Sequence, residues 1–155
     1  MIGRAPPHDI AFPLSIRRLV GLWKLLYFDR SPLPFDPARD PAWNRGRYLV
    51  EGPSHCAECH SSRNLAGAIK ESTRFAGGRD PEGVGFTPNI TPAAIGAWSV
   101  DDIARILTDG HTPEGREVGS SMDGVVNNTS KLSFADRQAI AAYIKSLPGR
   151  PTPKP

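Results

Sequence analysis

Only two cysteines and two methionines occur among the 155 residues. Two cysteines cannot staple a disulfide-rich scaffold. Long apolar runs are also missing. None approaches the ~18 uncharged apolar residues that a membrane-spanning helix needs. The net charge of +3 is too small to argue for a nucleic-acid partner. Alternation with period two never lasts long enough to argue a sheet. What the chain has in quantity is turn formers, with 15 glycines and 16 prolines. That share is below the ~25–30% of a disordered low-complexity chain, but it predicts long loops. The length suits one domain with an appendage.

Charge and proline divide the chain unevenly. Residues 1–47 carry eight Lys or Arg against four acids, while the remainder carries eleven bases and twelve acids. Seven of the sixteen prolines lie in the first 41 residues. These shifts predict a basic, proline-punctuated arm over 1–41, a folded domain over 42–149 and a Pro-rich tail over 150–155. Within the arm, Leu19, Leu22, Trp23 and Leu26 recur at helical spacing and predict a short amphipathic helix. Its face is expected to pack, on the domain in preference to a partner subunit. Ser15-Ile16-Arg17-Arg18 has the look of a twin-arginine export signal. Lys24 interrupts the apolar run, however, no small-residue cleavage site follows, and Asp29-Arg30 comes next.

Three further helices are predicted. The first runs over 41–52, with Pro41 in its first turn and Gly52 at its end. The second starts at Ser99, an N-cap followed by Asp101 and Asp102, and stops at Gly110. Its buried stripe is Ile103, Ile106 and Leu107. The third starts at Ser133, with Asp136 as an approximate capping box and Ile140, Tyr143, Ile144 and Leu147 as its stripe. From Gly52 to Gly124, both included, lie eleven of the fifteen glycines. A loop segment that long usually serves a function or wraps something.

The residues that explain the wrapping are Cys56-Ala57-Glu58-Cys59-His60. C-x-x-C-H is the attachment signature for a c-type haem. Two thiols three residues apart on a helical turn reach the two vinyl groups at one porphyrin edge. The adjacent His60 then lies under the ring, where its imidazole can ligate iron. Two rival readings are weaker. A thioredoxin-like dithiol wants a preceding strand in a βαβ context, and none is predicted. A zinc site from His55, Cys56, Cys59 and His60 would crowd four ligands into six residues, whereas closed zinc sites draw ligand pairs from separated parts of the chain.

The iron needs a sixth ligand or keeps an open position. Met1 is the start, so elimination leaves Met122, in the glycine-rich stretch Gly119-Ser120-Ser121-Met122-Asp123-Gly124. That stretch is expected to be a loop, where a methionine is poorly explained as core packing. His111 is the competitor and His8 a more distant one. Cysteine ligation is excluded because Cys56 and Cys59 are both used.

From about Ala38 to Leu147 the chain resembles a class I cytochrome c. It is most similar to the mono- and dihaem cytochrome subunits that accept electrons from periplasmic dehydrogenases, such as the quinoprotein alcohol dehydrogenases. The stretches that carry the resemblance are Trp43-Asn44-Arg45-Gly46-Arg47-Tyr48-Leu49-Val50, Cys56 to His60 and Arg63-Asn64. Phe75-Ala76-Gly77-Gly78, Pro88-Asn89-Ile90-Thr91-Pro92 and Ile95-Gly96-Ala97-Trp98-Ser99 follow, then the Met122 stretch and Ala142-Tyr143-Ile144-Lys145-Ser146-Leu147-Pro148. The resemblance implies an all-α cytochrome c fold, with three or more helices and long loops around one covalent haem c. It implies that Gly46 lets the last helix cross closely near Tyr143. It also implies that Phe75, Asn89, Ile90 and Trp98 line the haem pocket or its propionate edge, against plain core packing for Phe75 and Trp98. Two departures stand out. The family often has Thr-Pro after the haem His, but Ser61-Ser62 stands here, which leaves open the carbonyl that orients His60. Residues 6–28 look like the linker between two haem domains in larger relatives, so the chain is expected to begin where a second domain would lie.

A haem held by His60 and Met122 has no open position for substrate, so the expected function is single-electron transfer rather than catalysis. The resemblance implies a periplasmic setting, although no signal sequence is visible. It implies redox partner proteins: a dehydrogenase as donor, and a cytochrome or oxidase of the respiratory chain as acceptor. Any membrane association would be peripheral, through a partner subunit. The alternative is a catalytic haem protein of peroxidase or thiosulfate-oxidising type, in which Met122 leaves the iron or never binds it.

Overall fold

The computed structural model describes residues 9–13, 15–81 and 85–154. The chain divides into two compact units, Met1–Leu33 and Pro34–Pro155. In the first, helix α1 spans Arg17–Tyr27 and contains the apolar positions expected on one face. None of its residues is buried, and Trp23 stacks at a tilt on Tyr27 with ring centroids 5.5 Å apart. No helix among the described residues is long and apolar enough to cross a membrane.

The second unit holds the other helices: α2 (Pro41–Glu51), α3 (Pro92–Ile95), α4 (Val100–Asp109), α5 (Ser121–Thr129) and α6 (Phe134–Lys145). A two-residue antiparallel ribbon, β1 (Gly78–Arg79) with β2 (Phe86–Thr87), is the sheet among the described residues. This is the mostly helical architecture that the cytochrome c resemblance implies.

The three domain helices read from the sequence are present with their expected starts, α6 ending at Lys145, short of the stripe residue Leu147. Asp40 caps α2, its carboxylate accepting from the Trp43 amide at 2.8 Å, and Pro41 occupies the first turn. Ser99 and Asp102 form a complete capping box on α4, and Gly110 ends that helix at φ +77°. Ser133 caps α6 by accepting from the Asp136 amide at 3.1 Å. The Asp136 carboxylate accepts from Arg45 on α2 at 2.7 Å, tying the two helices together. Helix α5 was expected to be a loop. Ser120 enters it at φ +58°, and Thr129 at its end donates its hydroxyl to the Leu107 carbonyl at 2.7 Å. Packing against α4 thus makes a helix of a sequence rich in Gly, Val and Asn, all weak helix formers.

The core is where α2 and α6 cross, with α4 packed on α6. Leu49 and Val50 meet Ile103, Ala104, Leu107, Ile140, Ala141, Tyr143 and Ile144 there. Gly46 makes the crossing possible. A Cβ at this position would lie 2.0 Å from the Ala139 carbonyl oxygen and 2.9 Å from the Tyr143 Cβ. Around the crossing, Trp43 packs edge-on against Tyr143 and donates its indole N–H to Ser146 at 2.6 Å. The Tyr143 hydroxyl donates to Glu51 at 2.8 Å, and Glu51 is also paired with Arg74. Burial first, then that bond to Glu51, raises the Tyr143 pKa well above its ordinary value. At the N-terminal end of α2, the Asn44 amide donates to the carbonyls of Asp36, Arg39 and Asp40. Arg47 donates to the Pro34 carbonyl. These bonds explain why the compact unit reaches back to Pro34.

Candidate functional site

After α2 the chain turns at Gly52 and enters a single 3-10 turn, Cys56–Glu58. His55 precedes it at φ +34° and is exposed. The Cys59 amide donates back to the Cys56 carbonyl, so both sulfurs belong to one turn. Neither cysteine is in a disulfide, and both are half-buried. Burial pushes the Cys56 thiol up to about 11, so it is a neutral thiol at pH 7. Arg63 braces the turn from outside, donating to both the carbonyl and the carboxylate of Glu58.

His60 ends the turn and is 8% exposed. Its Nδ1 lies 2.8 Å from the Pro88 carbonyl oxygen. A carbonyl can only accept, so Nδ1 carries the proton and Nε2 keeps its lone pair, the form that ligates iron. Burial lowers the His60 pKa, and the bond to Pro88 opposes this only in part, so the ring is held neutral. The orienting carbonyl, open in the sequence, is therefore that of Pro88.

The distance from His60 to Pro88 is set by a pair of glycines. Gly77 donates its amide to the His60 carbonyl at 2.9 Å and bridges Ser61. Gly78 pairs with Thr87, the residue before Pro88. A Cβ on Gly77 would meet the Thr87 carbonyl oxygen at 2.6 Å, and one on Gly78 would meet the Ser61 carbonyl oxygen at 2.7 Å. Three backbone segments therefore lie too close for side chains between them. Ser61 adds a further bond, its hydroxyl accepting from the Phe75 amide at 3.0 Å. The sequence contained the signal, two adjacent glycines after an aromatic, but not the two backbones they separate.

The remaining candidates gather on the same core. Phe75 lies within it at 1% exposure, and Cys56, Ile90, Trp98 and Met122 pack against it half-buried. Met122 sits in the first turn of α5 rather than in a loop. Asn89 is buried with its amide fully engaged. Its Nδ2 donates to the Arg150 carbonyl at 2.8 Å and to the Thr152 hydroxyl at 3.1 Å. Its Oδ1 accepts from the Thr91 amide and hydroxyl. Trp98 donates its indole N–H to Glu114 at 2.9 Å. His111 is exposed, with Nδ1 2.9 Å from the Asp109 carbonyl oxygen. His8 lies outside the described residues. Among the described residues no three His, Cys, Asp or Glu side chains group as a metal site.

These residues fit a covalent haem. Two thiols share one turn, and a neutral buried imidazole next to them is fixed through Nδ1. An apolar core carries Met122 at its edge.

Comparison with known proteins agrees. Residues 44–148 match the family model described as Cytochrome c. The chain is 49% identical over 142 residues to a protein named diheme cytochrome c-type from Cereibacter sphaeroides, covering 92% of this chain and 47% of that protein. It is 37% identical to the fructose dehydrogenase cytochrome subunit of Gluconobacter japonicus, covering 94% of this chain and 30% of that one. It is 38% identical to the cytochrome c subunit of the quinone alcohol dehydrogenase of Gluconacetobacter polyoxogenes, covering 92% and 32%. The chain thus spans less than half the length of each of these relatives. With its C-x-x-C-H turn inside the matched segment, the chain belongs to the cytochrome c family.

Proposed function

We propose that this chain moves single electrons through one haem c, which Cys56 and Cys59 would hold by thioethers and His60 and Met122 would ligate at the iron. The observation that supports this most directly is the His60 ring, buried and neutral, with Nδ1 held by Pro88 one residue after the two thiols. Bound there, the haem supplies a one-electron iron couple. Everything else falls to the protein. Pro88 fixes the tautomer and orientation of the imidazole. Met122 would supply the second iron ligand, a thioether that would favour the reduced state and raise the potential. Phe75, Asn89, Ile90 and Trp98 line the pocket. With the Asn89 amide and the Trp98 indole already bonded to protein, these two contribute shape rather than hydrogen bonds to a propionate.

In this reading residues 42–149 are the monohaem domain and 1–41 a basic arm. The setting is the periplasm. The donor is a dehydrogenase, as the names of the relatives suggest, and the acceptor a cytochrome or oxidase of the respiratory chain. Helix α1 carries Arg17, Arg18 and Lys24 and no acid, which suits steering of an acidic redox partner that slows as salt rises. The test is the spectrum of the purified holoprotein. One haem per chain by pyridine haemochrome, and a weak near-infrared sulfur-to-iron band that Met122→Ala abolishes, are expected. A high-spin oxidised spectrum in the unchanged protein would overturn the assignment of Met122 and favour an open, catalytic site.

A further inference from the structure

The last residues of the chain carry four prolines in the eight positions from Pro148 and read as a Pro-rich tail. Its contacts are specific. The Arg150 amide donates to the Thr91 hydroxyl at 3.1 Å, and the Arg150 carbonyl accepts from Asn89 at 2.8 Å. The Thr152 hydroxyl accepts from the second N–H of Asn89 at 3.1 Å. The Arg150 guanidinium reaches across and donates to the Arg74 carbonyl at 2.7 Å. The tail thus bridges two backbone turns, 74–75 and 88–91. Those turns are also joined directly, the Ile90 amide donating to the Phe75 carbonyl at 2.9 Å.

What the tail holds is the residue next to the His60 acceptor. Asn89 is 4% exposed and Thr91 1%. Both acceptors of the Asn89 amide N–H groups belong to the tail, at Arg150 and Thr152. Without the tail, two buried donors lose their partners, which is costly unless the turn opens to water. Pro88 has a fixed φ and no N–H, so its carbonyl direction follows from the segments on either side. On one side it is held by the pairing of Gly78 with Thr87, and on the other by Asn89.

The geometry points to the C-terminal strap, through Arg150 and Thr152, as a positioning element for the axial histidine. By clamping Asn89 it keeps the Pro88 carbonyl on His60 Nδ1 and so tunes the iron potential. This rests on the reading of His60 as an iron ligand. The direction follows from the chemistry. A strong bond from Nδ1–H to a carbonyl makes the imidazole a better donor and favours the oxidised iron. Loosening the strap weakens that bond, frees the ring proton to exchange and moves the potential upward.

The experiment uses the full-length holoprotein, Thr152→Val, Thr152→Ser, Arg150→Ala and a chain ending at Gly149. Two quantities are read: the midpoint potential by spectroelectrochemistry, and the solvent exchange of the His60 ring N–H in the reduced state by ¹⁵N-histidine NMR. The shortened chain is expected to exchange the ring proton about tenfold faster or more, the loss expected for a buried donor left unpaired, with a positive potential shift. Thr152→Val and Arg150→Ala should each show part of the effect, and Thr152→Ser should restore it. If the unchanged protein shows no His60 ring strongly shifted by the haem, the ligand assignment fails, and the strap with it. If the ring is shifted but exchange and potential stay at the parent values in Thr152→Val and Arg150→Ala, the ligand assignment stands and the strap is only structural.

Discussion

Helices α2, α4 and α6 and the loop segment between α2 and α3 are held together by different forces. The helices meet through apolar side chains, with Gly46 at the crossing and Leu49, Val50, Ile103, Leu107, Ile140 and Ile144 around it. The segment has few large apolar residues of its own in the core, Phe75 foremost among them. It is held by backbone bonds, by the approach of Gly77 and Gly78, and by single side chains such as Ser61, Asn89 and Arg74. Burial stabilises the first region whatever occupies the site. The second is shaped as the wall of something, and in the proposed function that something is the haem.

The strongest way to break this comparison is to remove the attachment. Replacing Cys56 and Cys59 together by Ala is expected to leave little folded protein, because the haem would supply much of the core that the loops lack. In whatever fold remains, amide exchange should find protection in α2 and α6 and little over residues 60–91. A stable apoprotein with both regions protected would falsify the division.

The next test strikes the helices instead. Gly46→Leu places a side chain where a Cβ alone would lie 2.0 Å from the Ala139 carbonyl oxygen. Unfolding of the holoprotein in denaturant should show a loss of about 3 kcal/mol, at the upper end for overpacking. The thioethers should still form, since the Cys56–Glu58 turn follows α2 and does not pass through the crossing.

Smaller effects locate the helix ends. Ser99→Ala removes the hydroxyl that accepts from the Asp102 amide at 3.0 Å and should cost about 1 kcal/mol by the same measurement. The visible haem spectrum should not change, because the cap lies on the helical side of the comparison.

The smallest expected effect is on acid sensitivity. The bond from Arg45, above all, holds the Asp136 carboxyl below its ordinary value of 3.8, and the Ser99 hydroxyl does the same for Asp102. A carboxylate depressed in the folded state stabilises the fold above the unfolded value, and that stability is lost as the pH falls through the folded value. Stability should therefore be flat from neutrality to about pH 4 as far as these two groups are concerned, then decline. Asp136→Asn should flatten part of that decline and cost no more than about 1 kcal/mol at neutral pH, because Arg45 is half exposed. An acid limb identical in slope in the variant would show that the pair between α2 and α6 is without effect.

The helices were legible in the sequence because their signals are local. Pro41 in a first turn, Ser99 with Asp102, Gly110 and the stripe Ile103, Ile106, Leu107 each act within a few residues, and each is present as expected. The attachment turn was legible for the same reason, since two thiols and an imidazole in five residues need only one turn of chain. What tertiary structure alone decided was remote in sequence. Met122 lies on a helix because Val126, Thr129 and their neighbours pack on α4, overriding weak local propensity. Pro88 became the partner of His60, 28 residues away, because Gly77 and Gly78 bring two backbones close together. Asn89 found its acceptors in the tail, 61 residues on. A hydrogen bond leaves no periodic trace in a sequence, and its partner is chosen only when distant segments meet.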